Sequence, residues 1–262
     1  MRLFILAGLF AGLATAASFT FNDFSSIAGL TLNGGAAQSG SVLRVVPSAA
    51  TQAGTAYYTT PISLDGSTGF STAFEFLVQT DTDSSLGAPD GFTFLLQNVG
   101  VNALGAAGQG LGYVGLDPSV AVVFRGRAPA FIGVITGGTD PANLTNPFNP
   151  PGATSLAEGS FYGQDEFAWI DYSPSGALNV YLSSTSVRPA TPAMSTSVNV
   201  AGTLGSQMYV GFSAGNGGAF GSQDILNWSF NSSDAPVPEP STAGLFALGL
   251  LGLGLLRRAC KQ

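Results

Sequence analysis

The chain has 262 residues, a formal net charge of −7, 45% hydrophobic and only 9% charged residues, no histidine and one cysteine, a length that fits one large all-β domain or two smaller ones. Without histidine a single chain holds no Ser-His-Asp or Cys-His machinery and no His-ligated zinc or iron, and one thiol closes no intrachain disulfide. A pI near 4.2 argues against a nucleic-acid partner, which calls for a basic footprint.

Residues 1–17, MRLFILAGLFAGLATAA, read as a secretory signal peptide. Arg2 is the basic n-region, Leu3 to Leu13 the apolar h-region and Ala14-Thr15-Ala16 the small-x-small cleavage site. The mature protein then begins near Ala17 or Ser18. The alternative is a membrane anchor, for which the apolar run is short.

The segment that follows reads as β throughout. Short apolar or alternating runs occupy 18–24, 41–46, 72–80, 91–98, 119–124, 131–136, 166–172, 177–182, 208–214 and 224–230. They are rich in Phe, Val, Ile, Thr and Tyr and are punctuated by Gly, Asn, Asp, Pro and Ser. In 72–80 the alternation turns Phe74 and Phe76 to a core and Glu75 outward. Ser173-Pro174-Ser175-Gly176 joins two runs as a hairpin. No stretch has a helical period, and no repeat of 20–50 residues stands out. So many strands in one domain imply a two-sheet sandwich whose edges and loops carry the function.

After this domain, a Pro-rich linker at 233–241 cannot continue a strand or helix. Residues 242–256 are a 15-residue apolar run, roughly 22 Å as a helix at about 1.5 Å per residue, short against a ~30 Å hydrocarbon core. The basic tail at 257–262 holds Arg257, Arg258 and Lys261, which would stay on the cytoplasmic side. Pro238-Glu239-Pro240, the Gly/Leu-rich run and the arginine stop, in that order, resemble the PEP-CTERM sorting signal of exosortase-bearing bacteria. The resemblance implies a transient anchor and a membrane sorting protease as partner; a permanent single-span anchor is the alternative. Without the two ends, residues 18–240 keep four arginines against fifteen acids, a net charge of −11. Such a domain has little electrostatic attraction to anionic surfaces.

The strand order between 19 and 231 resembles a legume-type (L-type) lectin domain. The resemblance is carried by FTFNDFSS at 19–26, LTLNGGA at 30–36, SGSVLRV at 39–45, Asp90-Gly91-Phe92-Thr93-Phe94, GQGLGYVGLDPSVAVVF at 108–124 and the closing segment 210–230. It implies a concanavalin A-like jelly-roll sandwich over 18–232 that binds carbohydrate and is not an enzyme. By the resemblance, Asp90 accepts hydrogen bonds from two adjacent sugar hydroxyls, a role suited to the two oxygens of a carboxylate. Gly108-Gln109-Gly110 matches the loop that supplies a backbone N–H. Residues 215–221 match the specificity loop, with Gly218 on its path and Phe220 available to stack on a sugar ring. Asp90-Gly91 is also ordinary turn chemistry.

The sequence departs from the family where calcium and manganese bind. Val123 stands where a glutamate ligand is expected, Arg125 where an aspartate is expected and Phe131 in place of a histidine, across the shortened loop 127–130. Calcium needs about 6–8 oxygen ligands, so no metal site and no other cofactor are expected. Without metals, the family's cis peptide before the aspartate loses its support, and Arg125 or Arg127 could replace the metal charge by pairing with Asp90. Asp81 and Asp83 form an incomplete calcium-loop pattern and read better as a solvated loop. Glu166 and Asp171, five apart, face opposite sides of a strand, against the paired acids of a glycosidase. The leading expectation is an exported glycan-binding protein of the cell surface or exopolysaccharide matrix. The alternatives are a non-binding structural protein with the same sandwich and a concanavalin-like glycoside hydrolase.

Overall fold

The computed structural model describes residues 17–81, 86–141 and 152–234. The strands are numbered β1 to β16 in chain order. Sheet I contains β1 (Ser18–Phe21), β3 (Ala37–Ser39), β4 (Val42–Val46), β7 (Thr68–Val78), β12 (Asp165–Tyr172), β13 (Ala177–Ser183), β14 (Met194–Ser197) and β16 (Gln223–Asp234). Sheet II contains β2 (Leu30–Gly34), β5 (Gln52–Tyr58), β6 (Ile62–Ser63), β8 (Gly91–Gln97), β9 (Ser119–Arg125), β10 (Phe131–Thr136), β11 (Thr154–Ser155) and β15 (Gln207–Asn216). Sheet I runs β14-β13-β12-β7-β16-β4-β3, with β1 also on β16; sheet II runs β11-β10-β9-β8-β15-β5-β2, with β6 also on β15. All these pairings are antiparallel. This is the all-β sandwich expected from the strand pattern.

The core between the sheets is aromatic. Phe74 and Phe76 of β7 meet Phe92 of β8, Phe124 of β9 and Phe212 of β15. Phe92 stacks on Phe124 with ring centroids 4.8 Å apart. Each such ring contributes on the order of 1.5–3 kcal/mol by burial. Trp228 is buried among them, and its indole N–H donates to the Thr72 hydroxyl at 3.0 Å, so the polar atom costs little. β1 closes this core, as Phe19 stacks on Tyr58 and Phe230.

A second apolar cluster covers the outer face of sheet II. Ala121, Val123, Phe131 and Ile135 on the strands pack with Leu111, Tyr113 and Leu116 from the loop 98–118. With both faces covered, β8 and β9 are buried at every position, which is why they read as continuous apolar runs rather than alternating ones.

Several elements were absent from the sequence reading. β5 has small inward residues: a Cβ at Gly54 would lie 1.9 Å from the Val45 carbonyl oxygen, so two backbones meet where a strand former would clash. A one-turn helix, α1 (Val200–Leu204), is capped by Asn199, whose Oδ1 accepts from the Gly202 N–H at 2.8 Å. β7 starts four residues before the run seen in sequence, and the hairpin at Ser173–Gly176 forms as read.

Candidate functional site

Three adjacent strands of sheet II end at one rim. Gly91, at the start of β8, pairs with Arg125 at the end of β9 and with Gly215 near the end of β15. This register gathers Asp90, the 126–130 connection and the 216–222 loop. Gly91 has φ +124°, and a Cβ there would lie 2.2 Å from the Phe124 carbonyl oxygen. Only glycine fits the residue that turns Asp90 into β8. At Gly215 a Cβ would lie 2.4 Å from the Gly108 carbonyl oxygen. The Gly108–Gly110 turn therefore rests directly on β15.

Asp90 is only 4% exposed. The nearby Gly217 N–H favours its ionised form. Gly217 and Gly108 flank it closely: a Cβ on either would stand 3.0 and 3.9 Å from Oδ2. Burial pushes the Asp90 carboxyl above its ordinary pKa, and the Arg127 and Arg125 guanidiniums partly offset that shift.

The loop that carries Asp90 is held from the side by three residues. The Tyr162 hydroxyl donates to the Pro89 carbonyl at 2.6 Å. Glu158 Oε1 accepts from the Ala88 N–H at 3.2 Å. Arg127 donates from Nη1 to the carbonyls of Leu86 at 2.9 Å and Ala88 at 3.3 Å. Gly126 lies against the Tyr162 hydroxyl, with no room for a Cβ, and its N–H donates to the Asp90 carbonyl at 3.3 Å. Burial raises the Tyr162 phenol pKa, keeping it a neutral donor. Sequence reasoning missed Glu158, Tyr162 and Gly126, and no local motif marks them.

Neither arginine makes an ion pair with Asp90; among the described residues the ion pairs are Arg44–Asp224 and Arg188–Asp171. Arg125 is 3% exposed. Its Nε donates to the carbonyls of Arg127 and Pro129 at 3.2 and 3.1 Å, and its Nη1 is buried without a hydrogen bond. The direct pairing considered from sequence is thus replaced by carbonyl bonds and a longer-range field. The cis peptide bonds among the described residues are Asp117–Pro118 and Ala128–Pro129; the bond before Asp90 is not one of them.

The other sequence candidates sit around Asp90 unequally. Gly108 and Gly217 touch its surroundings, and Gly110 is buried beneath the turn. Gln109 is exposed and donates to Asp140 at 3.3 Å. Gly218 is exposed, with open space where a Cβ would stand, and Phe220 is partly buried, its carbonyl accepting from the Asp81 N–H at 3.1 Å. Asn216 anchors the loop, donating to the carbonyls of Pro47 and Gly221, both at 2.9 Å. Glu166 faces inward and accepts from Gln164, whereas Asp171 faces outward and pairs with Arg188. These acids do not form a catalytic pair.

Among the described residues there is no group of three or more His, Cys, Asp or Glu that could hold a metal ion. No helix among them is long and apolar enough to cross a membrane. Residues 1–16 of the leader, Asp83, the motif residues Pro238, Glu239, Pro240, Arg257 and Arg258, and the 242–256 run lie outside the described residues.

Two family descriptions match the chain. "Legume lectin domain" matches residues 16–122 and 154–245, and "PEP-CTERM protein-sorting motif" matches residues 236–258. The second implies export and sorting at a membrane. A probable L-type lectin-domain containing receptor kinase S.7 of Arabidopsis thaliana is 30% identical over 207 residues, covering 70% of this chain and 30% of that protein. Receptor kinase I.7 of the same plant is 28% identical over 246 residues, covering 84% of this chain. The chain spans only 36% of the length of that relative. A lectin from Bauhinia forficata in complex with GalNAc superposes with a TM-score of 0.69 at 21% identity, over 84% of this chain and 100% of the other. Arcelin-5, a lectin-like defense protein of Phaseolus vulgaris, gives 0.69 at 24% identity over the same shares. The metal-free form of lectin I-B4 from Griffonia simplicifolia gives 0.68 at 24% identity, over 83% and 99%. These neighbours share the fold.

Proposed function

This chain belongs to the legume lectin domain family, and we propose that it acts as an exported, metal-independent carbohydrate-binding module delivered by its sorting tail. The observation that carries this reading is the fixation of Asp90. Its loop is held by Arg127, Glu158 and Tyr162, all protein groups, at the convergence of three loops. An ionised carboxylate offers about four lone-pair directions, one of which could face the Gly217 N–H. The others are suited to two adjacent sugar hydroxyls. The Gly108–Gly110 turn would add a backbone donor, and Gly218 and Phe220 would form the rim.

Calcium and manganese, which the family implies, do not fit the residues present. Val123 and Phe131 are fully packed in the apolar cluster outside sheet II, and neither offers an oxygen. Arg125 adds a buried guanidinium, which opposes a dication. The metal site is degenerate in this reading, and the Arg127–Glu158–Tyr162 fixation takes over the ordering of the Asp90 loop. The domain organisation follows: leader 1–17, lectin domain 18–232, linker 233–241, anchor 242–256 and basic tail 257–262. The anchor is transient, the partner at the tail is a membrane sorting protease, and the destination is the cell surface or matrix, where an exopolysaccharide is the ligand.

The low exposure of Asp90 favours one competing reading, a sandwich kept for structure alone. A glycan array probed with the purified protein and with Asp90→Asn separates the two. Binding by the parent, lost in a variant with an unchanged melting temperature, supports the proposal. Equal binding of every array glycan by parent and variant, or no binding across a broad array, refutes it.

A further inference from the structure

The outer face of sheet I carries a groove away from the Asp90 rim. Register aligns Trp169 of β12, Ala73 of β7 and Ser229 of β16 in one outward row. Asp171 and Ser71 face each other in the next row. Because the residues beyond the indole are small, a trench of about 200 Å³ opens beside it. Arg188, from the segment after β13, reaches back over the sheet. Its guanidinium stands 3.8 Å above the Tyr181 ring centroid and pairs with the Asp171 carboxylate.

The two tryptophans of the chain differ in a way that points to use. Trp228 is 1% exposed and its indole N–H is bonded to Thr72. Trp169 is only partly buried and lines the trench; its ring lies 6.3 Å from that of Phe167, and its indole N–H makes no hydrogen bond among the described residues. An aromatic plane beside fixed planar donors and acceptors suits a ring that has an apolar C–H face and a rim of hydroxyls. The charge of the trench is balanced internally, since Arg188 and Asp171 neutralise each other, while the domain around it is strongly acidic. An anionic ligand meets repulsion there, and a neutral one loses no ion pair on entry.

We propose that this trench is a second saccharide site, taking a neutral pyranose ring against Trp169 with its hydroxyls on Asp171 and Arg188. It does not depend on the Asp90 reading, and the two stand or fall separately. The test is calorimetric titration of the full chain with cellohexaose, maltohexaose and mannohexaose, with oligogalacturonate as the anionic comparison. Saturable binding of at least one neutral oligosaccharide is expected, weakened at least tenfold in Trp169→Ala and in Ala73→Leu, which fills the trench floor. Asp90→Asn is expected to leave that binding in place. Melting temperatures identify a variant that fails to fold, and Ala73→Leu on the sheet surface then decides. Binding of none of the neutral probes, binding of oligogalacturonate alone, binding abolished by Asp90→Asn, or binding indifferent to Ala73→Leu each overturns the proposal.

Discussion

In the proposed site Asp90 is the residue on which sugar binding would turn, and its surroundings set opposing demands. Burial favours the protonated form, while hydroxyl recognition needs the carboxylate. Because its pKa is raised above 3.8, the native state holds that proton more tightly than the unfolded chain does. Its contribution to stability is therefore fully present below the unfolded pKa and is lost as pH rises through the folded one. Asp90→Asn is expected to melt no lower than the parent at pH 7, yet to bind glycan at least tenfold more weakly, since each charged hydrogen bond is worth about 1.5–3 kcal/mol. Binding by the parent is expected to fall at acid pH with a midpoint above 3.8, read by titration between pH 3 and 7. Tyr162→Phe removes the donor to the buried Pro89 carbonyl and is expected to cost about 1–3 kcal/mol in chemical denaturation, with weaker glycan binding as the Asp90 loop loosens. Asp90 was singled out in sequence through the resemblance carried by Asp90-Gly91-Phe92-Thr93-Phe94. Glu158 and Tyr162 were not, because they lie 70 and 73 residues from their partners, in a stretch that reads as turns.

The strands β8, β9 and β15 act as one element, since their shared register is what delivers three loops to one rim. Gly91 and Gly215 permit that register by admitting a neighbouring carbonyl where a Cβ would stand. Gly91→Ala meets both an unfavourable positive φ and a backbone clash. It is expected to destabilise by at least about 1–3 kcal/mol, seen as a lower denaturation midpoint, and to abolish glycan binding. Where one face of a strand is solvated, as in β7 and β12, the period of two was plain in the sequence. It disappears in β8 and β9, which are covered on both faces, although their apolar content still marked them as strands. β5 escaped notice because close backbone packing selected Gly54 and Ala56 over the usual β-branched residues.

At the scale of the molecule, residues 18–240 carry a net charge of −11 and keep four arginines, each with a structural partner. Arg44 holds Asp224, Arg188 holds Asp171, and Arg125 and Arg127 organise the connections around Asp90. The sandwich was legible because the order of turn-punctuated strands persists even where single motifs are weak. The second apolar cluster was not, since it joins residues of the 98–118 loop to Val123 and Phe131 across the sheet. Val123 and Phe131, the positions at which the resemblance expects metal ligands, both lie in that cluster. Binding by this domain is therefore expected to need no ion. The glycan identified by array is titrated calorimetrically into protein treated with EDTA, and again with calcium and manganese restored. Dissociation constants equal within about twofold are expected; at least a tenfold loss of affinity in EDTA, reversed by metal, would contradict metal-independent binding.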